Sequence, residues 1–150
     1  FAQEAKDAFR ATNLPLPRFV SVSAGEAYVR AGPGKKYPIK WVFKKKGLPV
    51  EIILEFDHWR KIRDHEGGEG WLHKSLLSGR RSAIVTGKEN IPLTRKPQSD
   101  SKITAYLQPR VISRIKECTI DWCYVDASGY KGWTGKENLW GVYEKEIIEK

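Results

Sequence analysis

The sequence predicts an all-β protein made of two small barrels in tandem, preceded by a short N-terminal extension. The first observation behind this is a pattern that occurs twice. Trp59-Arg-Lys-Ile62 is followed by Gly70-Trp71, and Trp122-Cys-Tyr-Val125 is followed by Gly132-Trp133. The copies are offset by 63 residues at the first Trp and by 62 at the second, so one connecting turn differs by a residue. Upstream, Ile52 falls on Ile115, Leu48 on Val111, Pro33 on Pro97 and Val29 on Leu93. A period of this length is that of a small domain and is too long for a solenoid unit. The second observation is that 13 Gly and 8 Pro punctuate 150 residues, so apolar runs stop after three or four residues and no membrane-spanning helix can form. The third is that apolar residues alternate with polar ones over short runs, the period of half-buried strands.

The elements follow in chain order. Residues 1–17 form the extension. Glu4 to Ala11 can make a short helix, which the polyproline-like Leu14-Pro-Leu-Pro17-Arg18 ends. Phe1-Ala2-Gln3-Glu4, in a chain without Met, suits the start of a mature exported protein whose leader has been removed. The first barrel is expected over residues 18–82. There LPVEIILEF (48–56) reads as a strand that buries Val50, Ile52 and Leu54 and turns Glu51, Ile53 and Glu55 outward. Asp57-His58 turns the chain, Trp59 to Arg63 returns, Glu66-Gly67-Gly68 turns it again and Glu69 to His73 completes a meander. Ser75 to Gly79 fits a 3₁₀ turn closed by Gly, and Ala83-Ile84-Val85 supplies a last short strand. The second barrel is expected over residues 83–150. Many short strands with Gly-rich turns indicate small barrels.

Charge divides unevenly between the modules. Residues 1–82 carry 16 Lys/Arg against 9 Asp/Glu, net +7, whereas residues 83–150 carry 11 against 9, net +2. The basic runs Lys35-Lys36, Lys44-Lys45-Lys46 and Arg80-Arg81 give a field that attracts nucleic acid, anionic glycopolymers or acidic surfaces alike.

VRAGPG (29–34), YPIKWVF (37–43), GLPVEII (47–53), EFDHWRKIRD (55–64), EGWLHKSLLSGRR (69–81), CTIDWC (118–123) and LWGVY (139–143) together resemble the bacterial Src-homology-3-like domains of exported proteins. The resemblance covers roughly residues 18–143. It implies a five- to six-stranded barrel per module, a periplasmic or secreted setting, and non-catalytic binding of cell-wall peptides or protein partners. The chain lacks the acidic-aromatic loop and paired tryptophans with which eukaryotic members grip proline-rich peptides. No peptide-contacting residue is therefore carried over from them.

Cys118 and Cys123 frame Thr-Ile-Asp-Trp. If these four residues form a hairpin loop, the cysteines face each other across the strands, close enough for a disulfide that would staple the turn and indicate an oxidising compartment. Two reduced core residues are the alternative. Zinc is disfavoured, because the spacing is Cys-x₄-Cys and no further cysteine exists. His58, His65 and His73 have no ligand spacing and read as surface turn residues; Glu66 and Glu69 read as solvated loop charges. No metal or other cofactor is called for. Gly32-Pro33-Gly34-Lys35-Lys36 lacks the spacing of a phosphate-cradling loop and reads as a turn.

The aromatics of the first module are too many for one small core. If Ile62 points inward, period two puts Trp59 on the opposite face, either as a lid on the barrel end, the favoured reading, or as a contact surface. Candidate ligand-binding residues are Tyr28, Tyr37, Trp41, Lys44, Lys45, Lys46 and Trp59. The leading expectation is a cell-envelope module that binds a cell-wall peptide, an anionic glycopolymer or a protein partner. A single-stranded nucleic-acid-binding barrel and a secreted host-directed interaction protein are the alternatives. An enzyme ranks last, because no nucleophile, base and orienting group can be placed together.

Overall fold

The computed structural model describes residues 8–150. The chain forms two compact units, residues 1–79 and 80–150, and each contains one seven-stranded antiparallel sheet. In the first unit the strands are β1 (Arg18–Val22), β2 (Ala27–Arg30), β3 (Ile39–Phe43), β4 (Pro49–Phe56), β5 (Trp59–Arg63), β6 (Glu69–His73) and β7 (Leu77–Ser78), in the order β3-β2-β6-β5-β4-β1-β7. In the second they are β8 (Ser82–Val85), β9 (Ile91–Thr94), β10 (Ile103–Leu107), β11 (Ile112–Cys118), β12 (Trp122–Ala127), β13 (Tyr130–Gly135) and β14 (Leu139–Trp140), in the order β10-β9-β13-β12-β11-β8-β14. The two orders are the same, so the duplication seen in sequence is a duplication of topology. Seven strands replace the expected five or six because a two-residue strand follows each 3₁₀ turn, Lys74–Leu76 and Lys136–Asn138, and pairs back on the first strand of its sheet.

Ala83-Ile84-Val85 pairs with β11 and β14, so it opens the second sheet and does not close the first. Of the helix expected over Glu4 to Ala11, residues 4–7 lie outside the described residues, and residues 8–11 are a turn followed by irregular chain.

The repeated Gly-Trp pairs have a packing cause. A Cβ at Gly70 would run into the Val29 side chain and the Arg30 carbonyl, and one at Gly132 into Leu93 and the Thr94 carbonyl. Only Gly lets β6 close on β2, and β13 on β9, at this spacing. Around these contacts lie the two cores. Val22, Val29, Val50, Ile52, Ile62 and Leu72 fill the first, and Val85, Leu93, Ile115, Val125 and Leu139 fill the second.

The strand over 49–56 does not alternate as expected. Ile52 pairs with Ile62 but Leu54 pairs with Lys61, so Ile53 is an extra residue in the ladder. This β-bulge reverses the phase of the strand. Leu54 becomes half-buried, and Glu55, expected outside, is fully buried opposite Arg60, itself 6% exposed. The Glu55 carboxylate accepts hydrogen bonds from the amides of Ala11 and Thr12, both at 2.9 Å, and from the Thr12 hydroxyl at 2.7 Å; Arg18 lies at 3.0 Å and Arg60 at 3.6 Å. Burial alone would push this carboxyl up, but the Thr12, Ala11 and Arg18 donors outweigh it and hold the group below the usual glutamate range.

The second module carries the same bulge between Ile115 and Glu117, and the phase reversal brings Cys118 opposite Cys123. Their Cα atoms are 4.0 Å apart and a disulfide joins them. The Cys118 amide and carbonyl bond to Ile148 instead of to Cys123, which makes this the closer, non-hydrogen-bonded type of cross-strand pair. The disulfide reading is the one realised.

Two outcomes follow. Glu55→Ala should destabilise the first module by about 3–5 kcal/mol, since it strands the buried Arg60 charge; urea unfolding, with faster hydrogen exchange at the Ala11 and Thr12 amides, would show it. Because the folded-state value of Glu55 is depressed, its contribution is present above the ordinary carboxylate range and is lost as pH falls through the lower, folded value. Glu55→Gln should accordingly flatten the acid limb of a stability-pH profile. For the second module, thiol titration of denatured, unreduced protein should find no free sulfhydryl. Cys118→Ala/Cys123→Ala should cost about 2 kcal/mol, the expectation for so short a loop.

Candidate functional site

Strand β5 has no bulge, so it alternates cleanly. Arg60 and Ile62 point inward, and Trp59, Lys61 and Arg63 lie on the outer face. Opposite Trp59 on β6 stands His73, with ring centroids 5.3 Å apart in an edge-on arrangement. Tyr28 and Arg30 from β2, Lys35 from the β2–β3 loop, and Ser75 and Leu76 from the 3₁₀ turn complete a groove of about 250 Å³. Trp59 is thus half-buried on the outer face, where it lines the groove.

One wall of the groove is held by hydrogen bonds. Arg30 donates to the carbonyls of Lys35 and Tyr37, both at 3.1 Å, and so fixes the β2–β3 loop that forms one wall. The Tyr37 ring packs where a Cβ on Gly32 would stand. Tyr28 is 43% exposed and its hydroxyl donates to Glu26 at 2.8 Å. His73 sits at the end of β6, where the meander reading puts it, and caps the 3₁₀ turn. Its Nδ1 accepts from the Ser75 amide at 3.2 Å, which leaves the proton of the neutral ring on Nε2. Burial, then His58 with its centroid 6.1 Å away, then Lys35, hold the His73 imidazole below its ordinary value. At neutral pH the groove therefore offers two aromatic faces, a neutral ring donor, the guanidinium of Arg30 held by two carbonyls, and the exposed Lys35 ammonium.

The other candidates lie elsewhere. Trp41 is half-buried against Gly68 and Gly70 and meets Phe43 edge-on at 5.8 Å, with the Lys40 ammonium 5.4 Å from its ring. Lys44, Lys45 and Lys46 are exposed at the β3–β4 turn and do not line the groove. Glu69, expected to be a solvated loop charge, pairs with Arg63 at 3.1 Å and Lys61 at 3.7 Å. Sequence reasoning missed Arg30, His73 and Leu76 as groove residues. The alternation of β5 pointed to Trp59, but the loop that brings Lys35 over it left no trace in the pattern. Among the described residues no group of three His, Cys, Asp or Glu could hold a metal ion, and no helix is long and apolar enough to cross a membrane.

The groove is not repeated in the second module. At the positions of Tyr28, Arg30 and His73 the matching strands carry Pro92, Thr94 and Gly135.

The model of the bacterial SH3 domain family matches residues 23–79 and again residues 87–141, and the chain belongs to that family. No curated protein matches it in sequence. Among solved structures it is similar to NlpC1 of Trichomonas vaginalis, with TM-score 0.39 and 10% identity over 86% of this chain and 47% of that one. NlpC2 of the same organism gives 0.39 and 12%, over 87% of this chain and 50% of that one. An NlpC/P60 family protein from Bacillus cereus gives 0.37 and 12%, over 84% of this chain and 57% of that one. The chain spans about half the length of these proteins.

The two tryptophans should respond differently to truncation. Trp59→Ala, on the outer face, should cost at most about 1 kcal/mol, while Trp41→Ala, which empties the space over Gly68 and Gly70, should cost about 3 kcal/mol. Chemical denaturation of the two variants would measure the difference.

Proposed function

We propose that the chain is a non-catalytic binding module of the bacterial cell envelope that holds a cell-wall peptide or glycopolymer in the groove between Tyr28 and Trp59. The observation that carries this is the outer-face placement of Trp59 against His73, with Arg30 and Lys35 on the adjacent walls. Aromatic faces open to the groove beside two cations suit a ligand that carries both apolar surface and a carboxylate, as wall peptides do. Lys44, Lys45 and Lys46 stand outside the groove and act at longer range, raising the local concentration of an anionic polymer without touching it. The Cys118–Cys123 disulfide supports an extracytoplasmic, periplasmic or secreted setting. That setting also ranks the wall above single-stranded nucleic acid as the partner.

Co-sedimentation with purified sacculi tests this. The protein should be retained, Trp59→Ala should cut affinity about tenfold at temperatures where the variant is still fully folded, and Lys44→Glu/Lys45→Glu/Lys46→Glu should weaken retention mainly at low salt. No retention on sacculi, together with tight oligo-dT binding that has a steep salt slope, would favour the nucleic-acid reading.

A further inference from the structure

The outer face of the second sheet carries a different set of groups. Tyr124 and Trp133 are direct cross-strand partners on β12 and β13, with ring centroids 5.4 Å apart and planes inclined at 59°. Lys116, the extra residue of the β11 bulge, Lys131 on β13 and Lys150 surround them together with Glu117, around a concavity of about 620 Å³. That volume is in the range of small-ligand sites. Among the described residues none of the three ammonium groups has a carboxylate within ion-pair distance. Asp126, across the ladder from Lys131, instead accepts from the Gly129 amide at 2.8 Å.

The first module shows the same face closed. Trp71, the counterpart of Trp133, is 7% exposed, with the Phe9 ring 6.4 Å away and inclined at 45°, and Glu69, at the place of Lys131, is tied to Arg63 and Lys61. Trp133 remains half-buried with Tyr124 beside it.

We propose that the Tyr124–Trp133 face is a second binding site, distinct from the Tyr28–Trp59 groove, for an acidic polysaccharide. The inclined rings offer apolar surface to the C–H faces of sugars. The three lysines take carboxylates spaced along the polymer, and Glu117 accepts hydrogen bonds from sugar hydroxyls. A nucleic acid fits less well, because the two rings, inclined at 59°, do not form a flat stacking platform for bases. A purely acidic peptide would leave the aromatic pair without a role.

Titration with oligogalacturonate, followed by calorimetry, tests the site. Poly-L-glutamate serves as a charge control and oligo-dT as a nucleic-acid control. Oligogalacturonate should bind at least tenfold more tightly than poly-L-glutamate or oligo-dT. Trp133→Ala and, separately, Lys116→Gln/Lys131→Gln should each weaken it about tenfold, while Trp59→Ala leaves it unchanged. Equal binding of poly-L-glutamate, tighter binding of oligo-dT, or no binding of oligogalacturonate overturns the proposal. Should Trp133→Ala fail to fold, the surface lysine pair decides, and unchanged affinity in that variant overturns the site. Loss of oligogalacturonate binding in Trp59→Ala would instead assign the polymer to the first groove. Because Trp59→Ala tests the first groove on sacculi and the lysine pair tests this face, failure of one reading is separable from failure of the other.

Discussion

One extra residue in one strand sets the architecture of each module. Ile53 in β4 and Lys116 in β11 are bulged out of register, so the residue two positions later faces the interior although the chain up to the bulge would have turned it outward. That inward position must be satisfied by whatever stands across the ladder. The two copies do so in different ways: Glu55 meets Arg60, and at the same places, offset by 63 residues, Cys118 meets Cys123. A buried carboxylate is tolerable only when its lone pairs are filled, and Glu55 takes donors from Ala11, Thr12 and Arg18 as well as the charge of Arg60. A disulfide needs no such company.

That difference decides which chain terminus serves which barrel. Beyond the bulge the outward amide of each strand lacks a ladder partner. The Glu55 amide donates to the Phe9 carbonyl at 2.7 Å, and the Cys118 amide to the Ile148 carbonyl at 2.8 Å. The first barrel is completed by the segment before it and the second by the segment after it. The N-terminal segment brings both the donors that the carboxylate requires and the Phe9 ring that lies on Phe56 and Trp71. At the other end, Arg81 grips Glu146 through two nitrogens, at 2.7 and 2.9 Å, and holds the closing segment to its own module.

Much of this was legible in the sequence, and what was not has a physical reason. The meander over 48–73 was readable because Val50, Ile52 and Ile62 alternate with polar residues, and the turns were readable from Asp57-His58 and Glu66-Gly67-Gly68. The bulge was not, because Ile53 and Leu54 are both apolar and a one-residue slip between them leaves the pattern unchanged. The only trace was the alignment of an ion pair with a cysteine pair at one offset, which is visible only once the copies are superposed. The groove was half legible. Trp59 had to lie outside if Ile62 lay inside, but the approach of Lys35 depends on Arg30 holding two loop carbonyls, a tertiary contact with no local signature. The part of His73 in the groove was missed for the same reason, since its neighbours Trp59 and His58 come from the other arm of a hairpin.

The bulge also bears on function, because it acts on both faces of the strand at once. Reversing the phase turns one residue inward and leaves its two predecessors at the outer surface: Ile53 and Leu54 in one copy, Lys116 and Glu117 in the other. The inward pair locks each barrel, so the outer positions can vary without disturbing the core behind them. In the first copy they remain apolar on a face whose tryptophan Phe9 covers, and the polar groove forms at the far end of β5 around Trp59. In the second they are charged and border an open aromatic pair. Duplication of one rigid frame has thus left two chemically distinct surfaces, and the same irregularity that fixes the frame also marks where one of them lies.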